Sequence, residues 1–158
     1  MNLCARDIMV SDVFSVTPCM SLVDMDSAFL QRGISGAPVV EGGKLRGVVS
    51  RADISRKLSE TVQAASAPEV PRGSLIDLMT AASRNVKPAF ERVRELCVGD
   101  IMVEKVVTVA PAAPVEEVAR LMVERKIHRV LVVEQDRLVG LISTLDLVRA
   151  MLLERQAA

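Results

Sequence analysis

Apolar positions along this chain fall in two alternating arrangements, short runs and helical stripes. Residues 13–16 form a short apolar run with strand character, stopped by Pro18. Ser21 and Asp24 then have the spacing of a helix N-cap and its capping-box partner. Leu22, Met25, Phe29 and Leu30 follow at the spacing of one helix face, and Gly33 suits the C-terminal cap. Residues 38–41, then Gly42-Gly43, then residues 44–50 predict strand, tight turn and strand. A second helix is expected from Arg51 to about Glu60, with Asp53 and Ile54 in its first turn.

The whole order then returns. Residues 106–109 predict a strand, and Pro114 suits the first turn of a helix whose N-terminus is favoured by Glu116 and Glu117. Val115, Val118, Ala119 and Met122 give that helix its apolar face. Residues 130–134 and 137–143 predict a hairpin turning at Gln135-Asp136, and a closing helix runs from Thr144 to about Arg155. Asp7 and Asp53 recur as Asp100 and Asp146 at one constant offset of 93 residues. Leu3, Cys4, Ile8, Met9, Val16, Pro18, Ile34, Val39, Val40, Gly47, Ser50 and Arg56 recur at the same offset. Those matches sit on turn and strand positions and exceed what shared composition produces. The chain is a tandem repeat. Residues 64–74 between the copies have linker composition, and Ser74 can cap a helix carrying Ile76, Met79 and Ala82. A further helical piece after Pro88 would place Phe90, Val93 and Leu96 on one side. Arg84, Lys87, Arg92 and Arg94 there fit a solvated face.

Composition narrows the function classes. Half of the 158 residues are hydrophobic and the formal net charge is zero, with a mean hydropathy of +0.32 and an isoelectric point near 6.6. A buried core is feasible, and no global basic field exists for nucleic acid. Trp and Tyr are absent, so bases find almost nothing to stack on. No secretory signal and no membrane-length apolar run are seen. Cys4, Cys19 and Cys97 form no CxxC pair, His128 is the only histidine, and the expectation is a reducing cytosol without a metal site. Cys4 and Cys97 are expected to be small buried apolar residues, and Met25 and Met122 to be core.

Phosphate-loop, dinucleotide and nucleophile-elbow motifs are all missing, which argues against an enzyme. What recurs is a binding geometry: Gly47-Val48-Val49-Ser50-Arg51-Ala52-Asp53 and Gly140-Leu141-Ile142-Ser143-Thr144-Leu145-Asp146. Each puts a hydroxyl and an exposed Asp at a strand-to-helix junction, where helix N–H groups can hold an anion. A carboxylate there can accept from a vicinal diol such as ribose. An acid in a first helical turn is also favoured for the helix dipole alone.

With Asp-Ile-Met, Val-x-Pro, the amphipathic helix and Gly-h-h-Ser-x-x-Asp in this order (h, apolar), each copy resembles the CBS domain. The two together resemble a CBS pair, or Bateman module, over residues 3–58 and 96–155. The resemblance implies an α/β (α+β) fold: two domains, each β-α-β-β-α with a small mixed sheet, packed about a pseudo-twofold axis. Residues 1–60 would be the first domain, 61–95 an insert and 96–158 the second domain. It also implies a non-enzymatic cytosolic sensor whose clefts bind AMP, ADP or ATP, or alternatively S-adenosylmethionine. An interaction module with empty clefts is the rival. No cofactor is required, though magnesium is compatible with ATP.

The implied ribose acceptors are Asp53 and Asp146, with Ser50 and Ser143 beside them. Adenine would lie against Ser15, Val16, Ile34 and Pro38 in one cleft, and Thr108, Val109, Ile127 and Leu131 in the other. His128 and Arg129 resemble a phosphate-approaching His-Arg segment in the γ regulatory subunit of AMP-activated protein kinase. Thr144 lies at that same junction. The first repeat has Ser35-Gly36 in place of His-Arg, with Arg51 as its local cation, so phosphorylated ligands are expected to favour the second cleft. A homodimer and a regulated protein partner are implied, with no nucleic acid and no membrane.

Overall fold

The computed structural model describes residues 3–65, 88 and 91–156. Residues 64 and 65 of the expected linker are helical, and the rest of it, the helix from Leu75 and the position of Phe90 lie outside the described residues. In chain order the elements are α1 (Ala5–Ile8), α2 (Leu22–Arg32), β1 (Gly36–Glu41), β2 (Lys44–Ser50) and α3 (Arg51–Ala65). A 3-10 turn at Val98–Asp100 precedes β3 (Thr108–Val109), α4 (Val115–Arg125), β4 (Arg129–Glu134), β5 (Arg137–Ser143) and α5 (Thr144–Gln156). The strands form one mixed five-stranded sheet in the order β1-β2-β5-β4-β3. β4 and β5 are antiparallel, and β3 runs parallel to β4 with Thr108 beside Leu131 and Val109 beside Val132.

Local chemistry explains most boundaries. Ser21 Oγ accepts from Asp24 N–H at 3.1 Å and donates to its carboxylate at 2.7 Å, fixing the start of α2. Gly33 ends that helix at φ 64°, a conformation open to glycine at no steric cost. Lys126 holds the same place after α4 at φ 53° without that freedom. Pro114 is the N-cap of α4, one residue outside the helix where its first turn was expected. The hairpin turns are Gly42-Gly43 and Gln135-Asp136, all at positive φ as a right-twisted two-residue turn demands.

The short runs before the α2 and α4 helices are less regular than expected. Only Thr108–Val109 of residues 106–109 forms a strand. In the first copy Val16 alone bridges, in parallel, to Val39, and residues 13–15 are not strand. Leu30 is 59% exposed instead of joining Leu22, Met25 and Phe29 in the core.

The chain divides into two compact units that do not follow the order of the repeats. One comprises Met1–Ser15, Val40–Gly47 and Glu104–Ala158, the other Val16–Val39 and Val48–Val103. In the first unit, Ala5 of α1 is fully buried in a core with Val109, Val118, Met122, Val130, Val132 and Ile142. The Ala5 N–H donates to Ala113 O at 2.8 Å, and Val10 exchanges backbone hydrogen bonds with Leu141 at 2.9 Å. Met9 sits so close to Gly140 that a side chain there would collide with its Sδ. In the other unit, Val98 is buried, Val98 N–H donates to Met20 O and Gly99 N–H to Pro18 O, both at 2.9 Å. The opening segment of each copy thus docks beside the body of the other copy's sequence.

Cys4 and Cys97 are half-buried polar partners instead of buried apolar residues. The Cys4 N–H and thiol donate to Asp7 Oδ2 at 2.8 and 3.0 Å, and Cys97 N–H donates to Asp100 Oδ2 at 2.8 Å. The Cys4 thiol bond first, then its backbone bond, hold the Asp7 carboxyl below its ordinary value of 3.8.

Two outcomes follow. Ile142→Ala opens a cavity in a fully buried position and is expected to cost about 2–5 kcal/mol in urea unfolding. Because the folded-state pKa of Asp7 is depressed, its contribution is complete above the unfolded value and lost as pH falls through the folded one. Asp7→Asn should therefore lose stability at neutral pH and show a shallower acid limb below the ordinary carboxylate pKa, read by thermal melts across pH.

Candidate functional site

Both strand-to-helix junctions are built alike. Ser50 N–H and Oγ donate to Asp53 Oδ2 at 2.8 and 2.7 Å. Ser143 N–H and Oγ donate to Asp146 Oδ2 at 2.8 and 2.6 Å. The first helical N–H of each junction is also taken: Arg51 donates to Ser35 O at 3.0 Å and Thr144 to His128 O at 3.1 Å. These bonds fasten the loop before each hairpin to the helix after it. They also use up an N–H that was expected to serve an anion.

The aspartates are less open than their sequence position suggests. Both side chains are largely buried, Asp53 at 9% and Asp146 at 11% exposed. A third partner, missed in the sequence reading, reaches each one from the next helical turn. Arg56 Nη2 lies 2.6 Å from Asp53 Oδ1, and Arg149 Nη1 lies 3.6 Å from Asp146 Oδ1. The repeated Asp-x-x-Arg was visible in the sequence, and i,i+3 spacing is enough to place the two groups together.

In the unit carrying Asp146, β4–β5 register sets Arg129 beside Ser143, and the Thr144 bond sets the His128 backbone beside α5. His128 and Arg129 are both exposed, and neither side chain has a hydrogen bond or ion pair among the described residues. Ile127 is half-buried, whereas Val109 and Leu131 are almost wholly buried and offer a ligand little surface. Thr108 is exposed and lines a polar cleft of about 320 Å³ with Lys44, Arg46, Glu104 and Asp136, away from Asp146 in the lining.

In the other unit, the structure gathers Ser35, Ser50, Arg51 and Asp53, and pairs Val16 with Pro38 and Val39 through a 3.0 Å backbone bond from Val16 N–H to Pro38 O. Val16 and Pro38 are buried, while Ile34 is half-buried. Ser15 is exposed and belongs to the first compact unit. Arg51, the cation expected for this repeat, is held by Asp26 at 2.7 Å. A cleft of about 610 Å³ in this unit lies along α2, α3 and Val93. Of the expected site residues it includes Arg51 alone. Among the described residues no group of three or more His, Cys, Asp or Glu side chains could hold a metal ion.

Comparison with known proteins fits this architecture. A 29% identity runs over 136 residues with an uncharacterized protein of Methanocaldococcus jannaschii, covering 83% of this chain and 81% of that one. The solved structure of CBSX2 in complex with AMP superposes with a TM-score of 0.70 at 24% identity, over 96% of this chain and 98% of the other. The CBS domain pair of protein MJ0100, in complex with 5′-methylthioadenosine and S-adenosyl-L-methionine, gives a TM-score of 0.67 at 20% identity, over 98% and 99% of the two chains. The CBS domain family is matched twice, over residues 5–60 and 98–153, and the chain belongs to that family.

Proposed function

We propose that this CBS pair is a regulatory module that binds an adenine nucleotide at the Asp146 junction and passes its occupancy to a protein partner. The observation that carries the reading is the open chemistry there. Asp146 Oδ2 is committed to Ser143, while among the described residues Oδ1 has an ion pair with Arg149 at 3.6 Å and no hydrogen bond. It can accept the ribose hydroxyls, while half-buried Ile127 offers surface to the base. His128 and Arg129, unpaired and exposed among the described residues, suit phosphate oxygens, Arg by its fixed fork of donors. A CBS pair of the same fold has been solved with AMP, and another with methylthioadenosine and S-adenosylmethionine, which supports an adenosine ligand.

AMP, ADP and ATP are favoured over S-adenosylmethionine by charge. Its sulfonium is cationic, and Arg129 would repel it where a phosphate would be attracted. Magnesium would enter only with a triphosphate, bound chiefly by the phosphates. The module works by differential binding to two arrangements of the pair, with no turnover of the ligand. It acts in the cytosol, where the free thiols Cys4, Cys19 and Cys97 stay reduced. No described helix is long and apolar enough to cross a membrane.

A second copy of the chain is the proposed cover for α5. Leu145, Val148, Met151 and Leu152 are 56%, 51%, 64% and 58% exposed along one side of that helix. The same positions of α3 are Ala52, Ser55, Leu58 and Ser59, so the apolar stripe belongs to the second repeat alone. A twofold contact through matching stripes would bury it.

Calorimetry on ligand-stripped protein should show micromolar binding of AMP or ATP, about −8 kcal/mol, and weaker binding of S-adenosylmethionine. Asp146→Ala should lose about 1–3 kcal/mol of that affinity. No heat with any of the three would leave the interaction-module reading in place. In sedimentation, the wild-type chain is expected to run as a dimer and Val148→Asp as a folded monomer.

A further inference from the structure

The two aspartates that look interchangeable in the sequence differ at one oxygen. Their Oδ2 atoms accept the same pair of bonds from Ser50 and from Ser143. At Oδ1 they part company. Asp53 accepts from Arg56 Nη2 at 2.6 Å, a short charge-assisted hydrogen bond. Arg149 stands 3.6 Å from Asp146, too far for one.

A carboxylate oxygen offers about two lone-pair positions, and a vicinal diol brings two O–H donors. Among the described residues no hydrogen bond reaches Asp146 Oδ1, whereas Asp53 Oδ1 has given one position to Arg56. A ligand at Asp53 must therefore either leave one hydroxyl unpaired at a site only 7% exposed, or displace the guanidinium from its carboxylate.

Among the described residues of that junction, the groups that could offset the loss are missing or engaged. Ser35 and Gly36 stand where the second repeat has His128 and Arg129, and Arg51 is engaged by Asp26 at 2.7 Å. Arg56 itself is more than half exposed, so it is held by the carboxylate more than by packing.

We propose that Arg56 is an occupancy-determining residue: by occupying Asp53 Oδ1 it keeps the first repeat from taking a ribose diol, so that each chain binds a single nucleotide, at Asp146. The proposal rests on the nucleotide reading above. It adds that the silent site is latched by its own arginine and not destroyed, since the Ser50–Asp53 geometry matches that of Ser143–Asp146.

The test is AMP titration by calorimetry of wild type, Arg56→Ala and Arg56→Met, the methionine keeping the stem of the side chain without its donors. Wild type should bind one AMP per chain, with Asp146→Ala weakening that event. Each Arg56 variant should bind a second AMP, and this event should keep its affinity in Asp146→Ala and weaken when Asp53→Ala is added. Two AMP in the wild type, or one in wild type and still one in both folded Arg56 variants, overturns the latch while leaving the nucleotide reading intact. No AMP heat in any variant overturns both.

Discussion

One interaction recurs at four corners of the repeats: a carboxylate three residues on folds back to take the N–H of the residue that starts the turn. Asp7 does this for Cys4, Asp53 for Ser50, Asp100 for Cys97 and Asp146 for Ser143. The first and third tie down the opening segment of each copy. The second and fourth turn the chain from strand into helix. An unpaired N–H at such a half-buried corner would carry a desolvation penalty, and the carboxylate removes it while stabilising the positive end of the helix.

The same economy explains why a structural residue can also be a binding residue. Capping uses one carboxylate oxygen and faces it inward. The other oxygen remains, and what it meets depends on the next turn of the helix. In one copy it meets an arginine at hydrogen-bond distance, and in the other it does not. Sequence divergence outside the shared motif then acts on surroundings: Ala119 and Thr144 occupy the places of Asp26 and Arg51, so the second junction lacks that ion pair. Duplicated geometry with unequal neighbours is a simple route to unequal sites.

Much of this was legible in the residues. The repeat, the hairpin turns, the caps at Ser21 and Gly33 and the core placement of Met25 and Met122 follow from spacing and local stereochemistry, which act within a few residues. What spacing could not convey was tertiary. Residues 13–16 have strand composition, yet only Val16 finds a partner. Leu30 fits the apolar stripe of α2 but lies on its exposed edge. Asp53 looked exposed because an acid at a turn usually is; its burial comes from the arginine and serine that cover it. Cys4 was read by residue type as a small hydrophobe, and the structure uses its thiol as a donor.

The placement of Leu3 to Val10 carries a consequence for biosynthesis. This segment leaves the ribosome well ahead of its hydrogen-bonding partners, Pro111, Ala113, Val115 and Leu141. More than a hundred residues separate Ala5 from the core it fills. At typical rates of translation the segment waits on the order of ten seconds before those partners exist. The first half of the chain cannot complete a folded body while it is being made. Final assembly of this core awaits synthesis of the second copy, and the long-range closure that achieves it makes folding slower than the short local hairpins alone would suggest.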